Sequence, residues 1–408
     1  MTRLTRRHWI ASAGVAAAAT ALPAPPISAL PLFNPEPEKQ PPLPPRPKAE
    51  VYKERQAKLR AAAKARGWEA IVVTPSTNLA YATGLSMSRS ERLTALVLLS
   101  DGPAVLVTPA FEESNVTRDA TVDDVKTWQE DQDPIALTAK LLLTGKTVGI
   151  KGTTAYATAS LVSTVASAKS EDATPVFDAL RSVKSEEEMG FIREAGRRTV
   201  LAITGTHGRI RRGMTEQEVS VILEQEFAKL GVRGDGLVQF GPSSALPHGG
   251  PSDRLLARGN VVLIDCGCRV RGYTSDVTRT VAFGTPSDEV RKVYGVVDKA
   301  QVAGIAALDA GKTGEEVDRA ARKVIEDAGY GQYFTHRLGH GLGMDGHEQP
   351  YLVKGNRKPL VVGNTVTIEP GIYMPGKFGV RIEDDYGVRD KGLASLSVRP
   401  TELGILNG

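Results

Sequence analysis

Four carboxylates in the second half of the chain sit among apolar, strand-forming residues. Asp265 follows Val-Val-Leu-Ile, Asp276 lies in Thr-Ser-Asp-Val-Thr-Arg-Thr, Glu369 follows Val-Thr-Ile, and Glu383 follows Val-Arg-Ile. An ionised carboxylate in such a setting is costly unless a cation or hydrogen-bond donors compensate it. Several converging together cannot all stay ionised unless cations lie among them, and two divalent ions would cancel the charge. Taken one hairpin at a time, a plainer reading stands beside this one, with Asp265 capping the end of its strand and Asp276 paired with Arg279. An internal repeat weighs against it. Gly259-Asn-Val-Val-Leu-Ile-Asp265-Cys-Gly267 returns as Gly363-Asn-Thr-Val-Thr-Ile-Glu369-Pro-Gly371, and each copy has a matching helix start upstream, Thr215 with Glu218 and Thr313 with Glu316. Two halves, each offering a carboxylate pair, imply oxygen ligands meeting at a pseudo-twofold axis.

Among the six histidines, His340 stands between glycines in Arg-Leu-Gly-His-Gly-Leu-Gly. Backbone can approach closely there, so His340 is the expected nitrogen ligand. His248, in Leu-Pro-His-Gly-Gly-Pro, and His347, in Gly-His-Glu-Gln-Pro, hold corresponding places in the two halves and read as groups beside the metals or facing a substrate. His336 reads as a hydrogen-bonded loop residue that orients a neighbour. Arg381, two residues before Glu383, points to the same face of a strand. It could receive a substrate carboxylate or pair with a neighbouring Asp or Glu. Tyr273 is a candidate pocket wall and equally a packing residue. Cys266 and Cys268, at i and i+2 on one strand, have poor disulfide geometry and read as buried thiols.

The elements that position these groups follow from pattern. Residues 51–183 alternate a helix (51–66) and strands (70–74, 95–99, 104–107 and 147–150), which argues an α/β unit, with Asn78–Gly84 as a polar loop. The charged segment from Arg181 leads into a long helix through Ala202. Two capping boxes start later helices at Thr215 and Thr313, and another helix begins near Ser287. Strands 261–270 and 273–283, joined at Arg271-Gly272, form a hairpin. Helices and strands come in blocks here, which favours an antiparallel, curved sheet with helices on its outer face. The fold class is therefore α+β, divided as 1–24 leader, 25–48 tether, 49–183 first domain and 184–408 second domain.

The leader carries Thr5-Arg6-Arg7-His8-Trp9-Ile10 and then an Ala-rich run to Leu22, a twin-arginine export pattern that points to the bacterial periplasm. The run is too short to span a bilayer, so stable membrane insertion is not expected. Eleven prolines between residues 23 and 47 keep the next segment extended. Net charge is +4, and removal of Arg3, Arg6 and Arg7 with the leader would leave +1. A nucleic-acid partner is excluded, because phosphate neutralisation needs a clustered basic face.

The ordered set Asp265, Asp276, His340, Glu369 and Glu383, with Ile-Glu-Pro-Gly-Ile-Tyr, His-Glu-Gln-Pro and Arg-Ile-Glu-Asp, resembles the pita-bread metallopeptidases of the M24 type, most of all the Xaa-Pro dipeptidase and aminopeptidase branch. Asn78-Leu-Ala-Tyr-Ala-Thr-Gly84 resembles the creatinase-type N-terminal domain of that branch. The resemblance implies that the five residues bind two divalent metals, with His340 on one only. Oxygen-rich ligation favours Mn²⁺, with Co²⁺ or Zn²⁺ as alternatives. It further implies attack of a metal-activated water on the first peptide bond, with Glu369 accepting its proton, His347 stabilising the oxyanion and His248 holding the substrate. Short peptides are the implied substrates and a homodimer the implied assembly. An amidine hydrolase of the creatinase kind and a catalytically silent pita-bread binding protein are the competing readings, and the complete ligand set disfavours both.

Overall fold

The computed structural model describes residues 40–142, 147–152, 155–164, 169–247, 249 and 252–407. The leader, most of the proline-rich segment and His248 lie outside them. In the first part of the chain, helix Ala49–Ala65 packs on a six-stranded mixed sheet. The central strand Trp68–Val73 is buried throughout, pairing antiparallel with Ala95–Leu99 and parallel with Thr147–Lys151. Two strands of that sheet escape the sequence pattern because they lack an apolar run: Lys169–Asp172 is exposed throughout, and Asp124–Trp128 alternates exposed and half-buried residues before buried Trp128.

The segment read as a loop at Asn78–Gly84 is instead the helix Thr77–Thr83. Its signals are local. Ser76 accepts from the Leu79 N–H at the start, and Gly84, at φ 81°, stops it in the left-handed region. Leu79, Tyr81 and Ala82 are buried, so packing supplies what a short helix lacks alone.

The second part repeats one plan twice. Helices Glu186–Arg209 and Glu216–Lys229 contact an antiparallel sheet containing Gly234–Phe240, Val261–Val270 and Val277–Phe283. Helices Asp288–Ala307 and Gly314–Asp327 do the same for a sheet containing Gly339–Gly341, Glu348–Leu352, Thr365–Ile368 and Asp384–Val388. The copies agree in detail. Thr215 and Thr313 both make reciprocal capping boxes, with Glu218 and Glu316. The Gly213 and Gly311 amides donate to Leu256 and Leu360 carbonyls, and Asn260 and Asn364 side chains accept from the residue three before them.

The one curved sheet expected from the sequence is two five-stranded sheets and a separate two-stranded ribbon, Gly371–Met374 with Phe378–Arg381. Pro370 explains the break, since it brings no N–H to the ladder. Register is conserved across the gap: Ile368 faces Asp384 on one side of it and Gly371 faces Arg381 on the other. Glu369 and Glu383 sit opposite each other at the interruption. The first hairpin does likewise. Its two-residue turn at Arg271 (φ 53°) and Gly272 (φ 90°) is followed by paired Tyr273–Thr274, a gap at Ser275-Asp276, and pairing again from Val277 in the same register. Both ladders open where a carboxylate is needed.

Candidate metal centre

The two halves meet at those gaps. The Glu383 N–H donates to Thr278 O at 3.2 Å, the Asp276 N–H to Asp385 Oδ2 at 3.1 Å, and Thr280 Oγ1 to Arg381 O at 2.8 Å. The five residues picked out from the sequence as ligands come together there. Their ligand atoms form one set from Asp265, Asp276 and Glu383 and another from His340, Glu369 and Glu383, each within 4.8 Å. Glu383 belongs to both sets and His340 to one, which is the arrangement two cations sharing a carboxylate would require. Asp265 does not face Asp276 directly across the hairpin; its register partner is Thr278. Asp276 lies two positions off, on the same face.

His340 shows what must fill the space. Its Nδ1 is 3.1 Å from the Gly341 carbonyl, so that nitrogen carries the proton and Nε2 presents a lone pair. Nε2 faces Glu369 Oε1 at 3.3 Å and Asp276 Oδ2 at 3.7 Å. Burial, then the neighbouring His347 ring, hold His340 down to about 3, so it is neutral at physiological pH. A lone pair aimed at carboxylate oxygens is repulsive without a cation or proton between them. In the absence of a cation, burial and the nearby carboxylates push Asp276 and Glu383 far above the ordinary carboxylate range, and burial first and then Asp265 carry Glu369 up to about 8. Carboxylates with one imidazole suit hard or borderline divalent ions. The residues present therefore fit the metal set.

Neighbouring side chains hold the ligands in place. Arg381 is buried and fully engaged: Nη2 donates to Asp265 Oδ2 at 2.5 Å, Nη1 to Tyr373 OH at 2.7 Å and Nε to Thr278 Oγ1 at 3.1 Å. Of the two readings open for it, the pair with a neighbouring carboxylate is present, in Asp265. Tyr273 both packs and lines a cavity: it is buried, its hydroxyl bonded to Glu188 at 2.6 Å and Arg55 at 2.7 Å, it joins helices Ala49–Ala65 and Glu186–Arg209, and it stands in the wall of a cavity next to Met344. His336 does orient a neighbour, with Nε2 2.8 Å from Tyr373 OH. His347 is exposed at the edge of the centre, its ring 4.0 Å from that of His340, and its ligand atom clusters with those of Asp276 and His340. Cys266 and Cys268 are buried free thiols.

Several supporting residues were not singled out in advance. Thr278 donates to Glu383 Oε2 at 2.6 Å, and Thr367 to Glu369 Oε1 at 3.3 Å. Glu348, next to His347, accepts from Lys184 Nζ at 2.5 Å and from Arg181 Nη2 at 2.7 Å, with both cations buried. The adjacency His347-Glu348 was the available signal; its partners, 164 and 167 residues away, were not.

Comparison with known proteins agrees with this geometry. Residues 190–390 match the model of metallopeptidase family M24, and residues 55–183 that of the creatinase/prolidase N-terminal domain. A probable dipeptidase PepE of Mycobacterium tuberculosis is 37% identical over 370 residues, 87% of this chain and 96% of that protein. The chain belongs to metallopeptidase family M24. Among solved M24-type structures, dipeptidase PepE from Mycobacterium ulcerans superposes with a TM-score of 0.82 at 36% identity, covering 89% of this chain and 100% of that one. A prolidase from Thermococcus sibiricus gives 0.81 at 35%, covering 87% and 99%, and an Xaa-Pro dipeptidase from Bacillus anthracis gives 0.80 at 31%, covering 87% and 100%. The fold is thus the creatinase-type N-terminal domain followed by the pita-bread domain, and M24 membership makes the centre one for divalent metals in a hydrolase. Among the described residues, no helix is long and apolar enough to cross a membrane.

Proposed function

We propose that the protein is a dinuclear, Mn²⁺-dependent exopeptidase that releases the first residue of short peptides, preferring proline second. The observation that carries this reading is the convergence of Asp265, Asp276, His340, Glu369 and Glu383 from both halves of the repeat onto one point. Similarity to proteins described as Xaa-Pro dipeptidase and prolidase supports the substrate class. A proline amide has no N–H and a fixed kink, so it needs a pocket shaped for it.

When bound, the ions supply Lewis acidity, polarising the scissile carbonyl and making water nucleophilic near neutral pH. Glu369, a carboxylate kept ionised at the centre, takes the proton of the attacking water and passes it to the leaving nitrogen. His347, at the edge of the centre, donates to the developing oxyanion. His248 holds the substrate. Arg381, through Asp265, and Thr278, through Glu383, keep the ligands from turning away.

Loaded with Mn²⁺, the protein should release alanine from Ala-Pro or Ala-Pro-Ala, and Asp276→Ala should abolish this. Full activity in that variant refutes the assignment. We also propose export by the twin-arginine route, supported by Arg6-Arg7, and assembly as a homodimer, supported by the resemblance alone. N-terminal sequencing of periplasmic protein and light scattering test these; an intact leader or a monomeric mass refutes them.

A further inference from the structure

Arg269 precedes and Arg271 opens the turn at the tip of the hairpin that carries Asp276, and neither is among the metal-ligand sets. Both guanidinium groups are held by backbone carbonyls. Arg269 Nη1 donates to Met344 O at 2.5 Å and to Gly272 O at 3.3 Å, and Arg271 Nε donates to Pro44 O at 2.5 Å. With Arg46 and Arg55 they line a cavity of about 560 Å³, within the usual range for small-molecule sites of roughly 300–1,000 Å³.

The charges in this cavity do not balance. Arg55 is neutralised by Glu188 at 2.9 Å. Asp119 is the one carboxylate of the lining, and it already accepts two hydrogen bonds from Arg118, at 3.1 and 2.8 Å. Arg46, Arg269 and Arg271 are left with no carboxylate in ion-pair range among the described residues. Three cations sharing one concave wall concentrate positive potential. Arg46 comes from the N-terminal segment and Arg269 and Arg271 from the hairpin tip, so forked N–H donors from two segments line the cavity, which suits an oxyanion with acceptors on several sides. The hydroxyl-bearing residues Tyr52, Ser76, Thr77, Ser86 and Tyr273 line the same cavity.

The cavity is also wired to the metal centre. Met344, whose carbonyl Arg269 holds, lies between His340 and His347, and the Thr274 N–H donates to Gly343 O at 2.8 Å. Thr274 is two residues from Asp276. The hairpin tip and the loop presenting His347 are thus bound to each other at two points, one of them an arginine that faces the cavity.

We propose that this cavity binds a small tetrahedral dianion, a phosphate monoester or sulfate, and that occupancy changes turnover by drawing on Arg269 and so shifting the loop that presents His347. The binding part stands independently; the effect on turnover rests on the peptidase reading above. Calorimetric titration of the full chain, metal-loaded and at constant ionic strength, with glycerol phosphate and with sodium sulfate as separate probes, should give saturable binding at one site. Charge-assisted hydrogen bonds predict that Arg46→Gln/Arg271→Gln weakens it about 10-fold or more. Arg46→Gln alone, an exposed change, should act in the same direction. Binding of glycerol phosphate alone assigns an organic phosphate; binding of both assigns the oxyanion itself. Absence of saturable heat with either probe, or equal affinity in the variants, overturns the site. Saturable binding with unchanged Ala-Pro turnover overturns the coupling only. A protein that cleaves no peptide refutes the peptidase reading, while calorimetry still decides the site.

Discussion

Removing the divalent ions should give a protein that loses stability as pH rises from about 5 to 8. Without a cation, Glu369 is raised from 4.5 to about 8, first by burial and also by Asp265. In that window the native state keeps a proton that the unfolded chain has released. Each step upward in pH then favours the unfolded chain: the contribution is present in full below about 4.5 and gone above about 8. One such proton corresponds to about 1.4 kcal/mol per pH unit, so Glu369 alone accounts for roughly 2–3 kcal/mol between about pH 5 and 7. Unfolding entropy for a chain of this size is about 0.8 kcal/mol per kelvin, which converts that loss to a fall of about 3 °C in Tm. Asp276 and Glu383 are shifted in the same direction and add to it. Bound cations replace the protons and keep the carboxylates ionised, so the loaded protein should not show this fall. Scanning calorimetry from pH 5 to 8, with chelator and with excess Mn²⁺, reads the difference directly. Parallel profiles in the two conditions would mean that the carboxylates do not share a cation, and the metal-centre argument would fail.

Other consequences are more local. Arg381→Ala removes the donor that fixes Asp265 and should weaken metal binding about 10–100-fold in a competition with a fluorescent chelator; unchanged affinity would show that Asp265 is held otherwise. Glu348→Ala strands buried Lys184, while Arg181 keeps Asp345, and should cost about 3–5 kcal/mol in urea unfolding. The Lys184→Met/Glu348→Ala double variant should lose less than the sum of the single losses, and strict additivity would argue against the pair. Thr215→Ala and Thr313→Ala should each cost about 1 kcal/mol, because the repeat gives the two helices the same capping box; a twofold disparity would show that one cap is redundant.

What the sequence made legible was whatever is local or repeated. Asp265 and Glu369 end matching strings, and the capping boxes are written within four residues, so periodicity and duplication suffice to find them. What stayed hidden depends on distant partners. Arg381 and Asp265 are 116 residues apart, and nothing near either says that their charges meet. The partners of the Tyr273 hydroxyl, Glu188 and Arg55, lie 85 and 218 residues away, so its packing role could not be read locally. The helix at Thr77–Thr83 was missed for another reason. Thr77, Asn78, Tyr81 and Thr83 have weak intrinsic preference that offsets Leu79, Ala80 and Ala82, and burial of Leu79, Tyr81 and Ala82 decides the conformation. Pro370 was legible in principle, since a proline after a strand carboxylate announces a broken ladder, and that break is what leaves Glu369 facing Glu383.

The repeat also accounts for the asymmetry of the centre. An offset of 104 residues carries Gly259 to Gly363, Asp265 to Glu369, and therefore Val262 to Val366 and Leu263 to Thr367. In the first half Val262 pairs with Phe240 and Leu263 with Gln239. In the second half Val366 pairs with Gly341, and one residue along the His340 N–H meets Thr367 Oγ1 at 3.1 Å. His340 therefore occupies the place that Gln239 holds in the other copy. Gln239 is buried, and its amide donates to the carbonyls of Ser243, Leu246 and Gly249, so the same position secures a loop in one half and offers a lone pair to a cation in the other. The Gln239 nitrogen is committed to donating to those carbonyls, whereas the His340 imidazole, held at Nδ1 by Gly341, keeps a nitrogen lone pair for a metal. Equivalent backbones would thus offer carboxylates to both cation positions and the His340 nitrogen to one, so two bound ions would not be equivalent, and the position without His340 should release its ion first as chelator is added.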